Sequence, residues 1–380
     1  MQMVLPRARW WVRALVALAV AFLALTTFSR HAPDSARALM TAWGSTHETE
    51  ASIPVYTIPP IPTFCNAALP PSSVDPSATS PELATPLSAK DLLCRPVDAV
   101  SGNIPRLFHQ SWKTTELPVK FQEWSRSCRQ AHRDWEWVLW TDDDNLELVR
   151  TYFPSLESTY SGLPGAIYRA DFARNLYMYM FGGVYADLDV ECLQPTDKGL
   201  DPFNVSVDRG SDPNNRDTPD GVAVAVLGRM GQDVKFQESI PNAWMAASPR
   251  HPFFVLPLEQ AQNEVRQSTT FLHSLWHSFP SPESLTGPAA LHRALRQWNR
   301  LKRKSHNVVV LPADIIYPYD WHDDQMQSIC LATSDTFDEE LCKQSLQVRK
   351  KGSLTITYWS HTHKGKQSNA KNIEKISRRI

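Results

Sequence analysis

The 380-residue chain lacks an excess of either charge: 39 Lys and Arg stand against 40 Asp and Glu, which removes the basic footprint a nucleic-acid partner would require. Long apolar runs are nearly absent too, and the one that exists, ALVALAVAFLALTTF, lies at Ala14–Phe28. The remainder has the composition of a globular protein, long enough for one large domain with accessories. Cysteine is limited to six residues, and sequence alone cannot choose among their pairings, although Cys330 and Cys342 form the best local pair. Acceptor sites for N-glycosylation are limited to Asn204-Val205-Ser206.

Arg7, Arg9 and Arg13 precede the apolar run, and with Trp10, Trp11 and Val12 added it reaches the lower end of the roughly 17 to 25 residues a membrane span needs. The basic flank places residues 1–28 as a signal-anchor helix with its start in the cytoplasm. A cleaved signal peptide is the competing reading, disfavoured by the Trp pair, which suits an interfacial belt, and by the lack of a small-x-small site directly after Phe28. Either reading sends the rest of the chain into the lumen. Residues 29–103 follow, rich in Pro, Ser, Thr and Ala, with Pro59, Pro60, Pro62, Pro70, Pro71, Pro76, Pro81 and Pro86 closely spaced. Such a segment reads as an extended, O-glycosylatable stem that buries no core of its own. Cys65 and Cys94 within it suggest that part of the stem is stapled.

Chemistry-bearing residues concentrate in YRADFARNLYMYMFGGVYADLDVECL. Ala166, Ala170, Ala173, Tyr177 and Met180 recur at helical spacing, so Ala166–Met180 reads as a helix with one buried stripe, stopped by Gly182 and Gly183. Val184 to Val190 then reads as a strand on which Asp187 and Asp189 share one face. Two adjacent carboxylates resist ionising together unless a cation lies between them, which suggests an oxygen-ligated divalent metal, Mn2+ or Mg2+. Asp171 and Arg174, three residues apart, neighbour each other on the helix beside its apolar stripe and can line the same cleft.

Upstream, a strand opening at Ile104, a helix over Leu117–His132 and a strand at Glu136–Trp140 give the alternation of a parallel sheet with covering helices. Ligands of such sheets bind beyond the carboxyl ends of the strands, where His109 and Gln110 could hold a base or ribose. For His109, a satisfied core histidine is an equally good reading. Asp142, Asp143 and Asp144 repeat the D-x-D spacing but follow a strand and precede NLELVRTYF, the position of a helix start. Downstream, GVAVAVLG and Val308–Leu311 read as further strands, and KNIEKISRRI, within a basic tail at 368–380, as a solvated helix.

The string R-x-D-x-x-R, GG-x-Y, D-x-D resembles the D-x-D glycosyltransferases of family 32, which include fungal α-1,6-mannosyltransferases and inositolphosphoceramide mannosyltransferases and share a core with large glucosylating toxins. IPRLFHQSWK (Ile104 to Lys113), WVLWTDDD (Trp137 to Asp144) and TGPAAL (Thr286 to Leu291) extend the resemblance. It implies a GT-A type, Rossmann-like mixed α/β sheet with flanking helices over a catalytic domain at 104–367. It further implies donor contacts from His109, Gln110, Tyr185 and Asp187, metal ligation by Asp187, Asp189 and His361 (His363 competing), and catalytic roles for Asp171 and Arg174. The segment Ile240–Phe254 resembles the family's acceptor region, where Arg250 and His251 are acceptor contacts or plain surface. The usual Ser-Trp pair after the C-terminal histidine is replaced by Lys366 and Gln367.

The reaction so implied is retaining transfer of mannose from GDP-mannose, by attack on the face the diphosphate leaves, to a hydroxyl of a glycan or glycolipid. The implied setting is the Golgi membrane, with a lumenal catalytic domain behind a single type II anchor. A UDP-sugar donor, an aspartate-nucleophile phosphatase built on DLDV, and a non-catalytic lectin-like binder are the alternative readings.

Overall fold

The computed structural model describes residues 53, 55–62, 65, 82–95, 102–208, 222–268, 279–301 and 306–360. Seven strands form one sheet in the order β1-β3-β2-β4-β7-β6-β8: β1 (Thr85–Pro86), β2 (Leu107–Ser111), β3 (Glu136–Trp140), β4 (Gly183–Ala186), β6 (Ala223–Gly228), β7 (Trp244–Ala247) and β8 (His306–Leu311). All neighbours pair in parallel except β7, which runs antiparallel to both β4 and β6. The sheet is therefore mixed, and six strands point their carboxyl ends the same way. A second, two-stranded sheet pairs β5 (Val190–Cys192) antiparallel with β9 (Thr355–Thr357).

Alternation along the strands divides the core. Leu107, Val138, Trp140, Tyr185, Met245 and Ala247 face one cluster, whereas Phe108, Val184, Ala186, Trp244 and Ala246 face another. The first cluster is covered by α2 (Asp142–Tyr152), α3 (Ala166–Met180), α4 (Val255–Ser268) and α5 (Pro288–Leu301), while the second includes Cys128 of α1 (Val119–Ala131). Helix α3 is more deeply set than a one-stripe helix: every residue from Asp171 to Met180 is buried. The acids at the head of α2 perform the capping expected of them. Thr141 is the N-cap and Asp144 Oδ2 accepts from its backbone N–H at 2.9 Å, completing a capping box.

Two boundaries differ from the sequence reading. The strand expected over Val184–Val190 ends at Ala186: Asp187 N–H still donates to Ala243 O of the β7 side at 2.8 Å, and a turn closed by Val190 N–H donating to Asp187 O at 3.2 Å follows at once. Asp187 and Asp189 hence occupy a turn between two sheets rather than one face of a strand. The stem expected through residue 103 also ends early. Residues 82–95 contribute strand β1, a helix at Ala89–Leu93 capped by Ser88 Oγ, and buried Leu92 and Leu93, and Ile53 joins the same core. Hydrophobic burial, not proline content, decides that these residues join the core.

The six cysteines pair as Cys65–Cys94, Cys128–Cys192 and Cys330–Cys342. The third is the local pair expected, and the first staples the pre-domain segment. Asn204 is exposed, with φ of 55°. Among the described residues no helix is long and apolar enough to cross a membrane. The signal-anchor expected at 1–28 and the tail at 368–380 lie outside the described residues.

Candidate active site

Arg174 is the centre of the site. Its position on α3 buries the side chain to 5% exposure, so its charge must be met by partners, which gather at the two Nη atoms while Nε has no hydrogen bond among the described residues. Nη2 lies 3.1 Å from Asp171 Oδ1, one helical turn back, and 3.1 Å from Asp187 Oδ1 at the end of β4. Nη1 donates to Asn242 O at 2.8 Å, and the guanidinium stacks 4.7 Å over the ring of Tyr185. Burial works against its charge, but Asp187, Tyr185 and Asp171 outweigh burial and hold it firmly protonated. The helix and the strand end thereby share one cation.

Asp187 is fixed on its other side by Tyr185, whose hydroxyl donates to Oδ1 at 2.6 Å and lies 3.1 Å from Ser111 Oγ at the end of β2. Burial raises the Asp187 carboxyl above the ordinary range; Arg174 opposes that shift and the neighbouring Asp189 adds to it. The side chain remains 30% exposed. Asp189 is held from the opposite end of the chain, its Oδ2 accepting from the backbone N–H and the hydroxyl of Ser360, each at 2.8 Å. Its Oδ1 has no hydrogen bond among the described residues.

Asp171 is oriented from three directions. Asn242 Nδ2 donates to Oδ1 at 2.9 Å and Thr286 Oγ1 to Oδ2 at 3.3 Å, while Arg174 supplies the charge. Gly287 follows Thr286, and a Cβ there would stand 3.3 Å from Asp171 Oδ2, so the loop entering α5 lies close against this carboxylate. Asn242 and Thr286 carried no distinguishing sequence signal beyond lying in IPNAW and TGPAAL, because their role depends on two loops meeting one helix.

The donor set tests the fit of a divalent cation. Among the described residues no three His, Cys, Asp or Glu side chains cluster as a complete metal cage. Asp187 and Asp189 offer two hard carboxylates at the open end of β4, a set that suits Mg2+ or Mn2+ completed by water and by substrate phosphates. His361, the expected third ligand, and His363 lie outside the described residues.

Three expected donor contacts sit elsewhere. His109 is fully buried: Nε2 lies 2.9 Å from Gly182 O and Nδ1 accepts from Trp140 Nε1 at 3.0 Å, so neither ring nitrogen is left for a base. Burial lowers its pKa to about 4, and the ring is neutral. Gln110 points into the opposite face of the sheet, where Oε1 accepts from Ser125 Oγ at 2.6 Å and Trp137 Nε1 at 3.0 Å. Tyr185 is 1% exposed and supports Arg174 and Asp187 from beneath. At the carboxyl end of β2 it is Ser111 that stands partly exposed beside Tyr185, while Trp112, also partly exposed, packs edge-on to Phe121 at 5.2 Å. His251 is fully buried rather than at the surface, whereas Arg250 is partly exposed and packs 5.8 Å over Tyr179.

Residues 118–205 match the family model described as a glycosyltransferase sugar-binding region containing a DXD motif. Inositol phosphoceramide mannosyltransferase 3 of Schizosaccharomyces pombe is 42% identical over 103 residues, 27% of this chain and 28% of that protein. Inositol phosphoceramide mannosyltransferase 2 of the same organism is 29% identical over 55% of this chain and 50% of its own length. The chain thus spans half or less of these relatives. Among solved structures, PaToxG glycosyltransferase aligns over 72% of this chain and 86% of that one, with 13% identity and a TM-score of 0.33. Asp171, Arg174, Tyr185, Asp187 and Asp189 all fall within the stretch that matches the model of a DXD-containing glycosyltransferase sugar-binding region.

Proposed function

We propose that the protein is a metal-dependent, retaining glycosyltransferase of GT-A type. It moves mannose from GDP-mannose to a hydroxyl of a glycan or glycolipid in the Golgi lumen, anchored by its first 28 residues. The observation that carries the reading is the buried Arg174, bridging Asp171 and Asp187 beside Asp189. The relatives named as inositol phosphoceramide mannosyltransferases support mannose as the sugar and a glycolipid as the acceptor.

A divalent cation between Asp187 and Asp189 would supply electrophilic stabilisation of the charge developing on the leaving diphosphate. The chain's own residues do the rest. Arg174 adds a fixed positive charge that needs no reorganisation during reaction. Asp171, held by Asn242 and Thr286, presents a carboxylate of set direction to the hydroxyls of the donor sugar, which lowers the entropic part of the barrier. Tyr185 holds Asp187 and keeps its carboxylate from turning inward.

The test is transfer and hydrolysis with a panel of GDP- and UDP-sugars and a generic phosphate ester, each with and without Mn2+. We expect Mn2+-dependent use of GDP-mannose, abolished in a folded Asp189→Asn variant. Preference for a UDP-sugar would overturn the donor, and cleavage of the phosphate ester alone would overturn the glycosyltransferase reading.

A further inference from the structure

The second aspartate of the motif is not placed by the sheet that places the first. Asp187 closes β4 of the seven-stranded sheet, but Asp189 is gripped by the far end of the chain, where Tyr358 N–H donates to its backbone carbonyl at 3.1 Å and Ser360 donates twice to Oδ2. Between these two donors stands Trp359, with φ of 46°. A bulky aromatic residue in the left-handed region is strained, and such a conformation persists only where its surroundings over-determine it.

The surroundings do so. The Trp359 ring stacks on Tyr317 at 5.6 Å and 28°, and its Nε1 donates to Tyr319 O at 3.2 Å. Tyr317 is itself fixed to the core, its hydroxyl accepting from Trp244 N–H at 2.7 Å and donating to Pro241 O at 3.1 Å. On the other side, Tyr358 stacks on Trp124 at 5.1 Å, its carbonyl accepts from Ala332 N–H at 2.8 Å and its hydroxyl donates to Glu191 Oε2 at 2.5 Å. Lys343 holds Glu191 in turn at 2.8 Å, from the helix that carries Cys342 of the Cys330–Cys342 disulfide.

We propose that Trp359 and Ser360 form a positioning clamp for Asp189: the left-handed turn at Trp359 aims both donors of Ser360 at Oδ2, which leaves Oδ1 facing the cleft for the cation. This rests on the cation-dependent reading of the site. Partners that orient a ligating carboxylate set its affinity for metal, and losing one typically weakens binding by about 10- to 100-fold. Because the clamp is built from residues 317 to 360, the C-terminal segment determines a property that the D-x-D spacing alone does not.

The experiment titrates Mn2+, alone and with GDP, into the purified full chain and follows binding by the electron paramagnetic resonance of free Mn2+, with thermal unfolding recorded alongside. We expect Ser360→Ala to raise the Kd about 10-fold with only a modest fall in Tm, since the buried hydroxyl is lost while the backbone N–H still holds Oδ2. Trp359→Val, which loses the ring and disfavours the left-handed turn, should bind more weakly still, and Trp359→Phe, which keeps the stack on Tyr317, should recover most of the affinity. Parent-like Mn2+ binding in Ser360→Ala, or Trp359→Phe no better than Trp359→Val, overturns the clamp. If Trp359→Val does not fold, Ser360→Ala decides. Absence of Mn2+ binding by the parent overturns the cation reading itself, and the clamp with it.

Discussion

His109 shows how one residue can satisfy a motif and still serve only the fold. Its burial holds the folded-state pKa at about 4, below the unfolded value near 6.5, so between those values the unfolded chain binds more protons. The stability this neutral histidine contributes is present above about pH 6.5 and is lost as pH falls toward 4. We expect urea unfolding to lose on the order of 3 kcal/mol across that window through His109 alone, at about 1.4 kcal/mol per unit. His109→Gln, which can donate to Gly182 O and accept from Trp140, should flatten the profile by that amount relative to the parent; an unchanged slope would show that His109 is not buried neutral. The i, i+3 relation of Asp171 and Arg174 was legible in the sequence, because helical spacing alone makes them neighbours. Their burial was not, since the apolar stripe of α3 gives no warning that other helices cover the remaining faces. The facing of His109 and Gln110 was equally hidden: adjacent strand residues point to opposite faces, and neither of these two reaches the open end that Ser111 occupies.

At the scale of elements, the join between α3 and β4 decides where Asp187 stands. Gly182 and Gly183 have φ of 65° and 87°, and a Cβ on Gly182 would lie 2.6 Å from Ala247 O, while one on Gly183 would collide with Leu107 O on the neighbouring strand. The pair was read from sequence as a helix stop, which it is. Its second role, letting β4 lie directly against β2 and β7, depends on pairings between segments far apart in the chain. Gly183→Ala should therefore cost about 2–4 kcal/mol, combining left-handed strain with overpacking, and should lower turnover further by displacing Asp187 from Arg174. Chemical denaturation and single-turnover transfer check the two effects separately; an alanine variant of parental stability would sink the packing argument. The same element scale explains the misplaced end of β4. Val184, Ala186, Leu188 and Val190 alternate as a continuous strand would, but a turn closed by Val190 N–H on Asp187 O carries the chain to β9, a partner more than 150 residues downstream whose arrival no local pattern announces.

For the whole molecule, the same disagreement between local composition and distant packing fixes where the folded unit begins. Proline-rich spacing suggested a free stem up to residue 103, yet Ile53 is 6% exposed in the core, and Tyr56 packs edge-on to Phe153 at 5.6 Å and to Tyr179 at 5.9 Å. Strand β1 pairs with β3 at Thr85 and Pro86, and the Cys65–Cys94 disulfide closes the segment onto the helix at Ala89–Leu93. Burying an Ile side chain is worth about 1.5–3 kcal/mol, and a closed disulfide loop of this length about 3–4 kcal/mol. Set against a typical domain stability of about 5–15 kcal/mol, these contacts are not dispensable. A chain starting after Ser52, the boundary of the compact unit Ile53–Ile380, should express as a folded protein with all six cysteines paired. One starting after Ser88 loses Ile53, Tyr56, β1 and the partner of Cys94, and should aggregate or unfold at least 10 °C lower, as roughly 4–8 °C per kcal/mol in small domains and about half that in larger ones implies. Thiol titration and thermal melts of the two truncations, made side by side, decide it: equal melting temperatures would mean that residues 53–88 are stem after all.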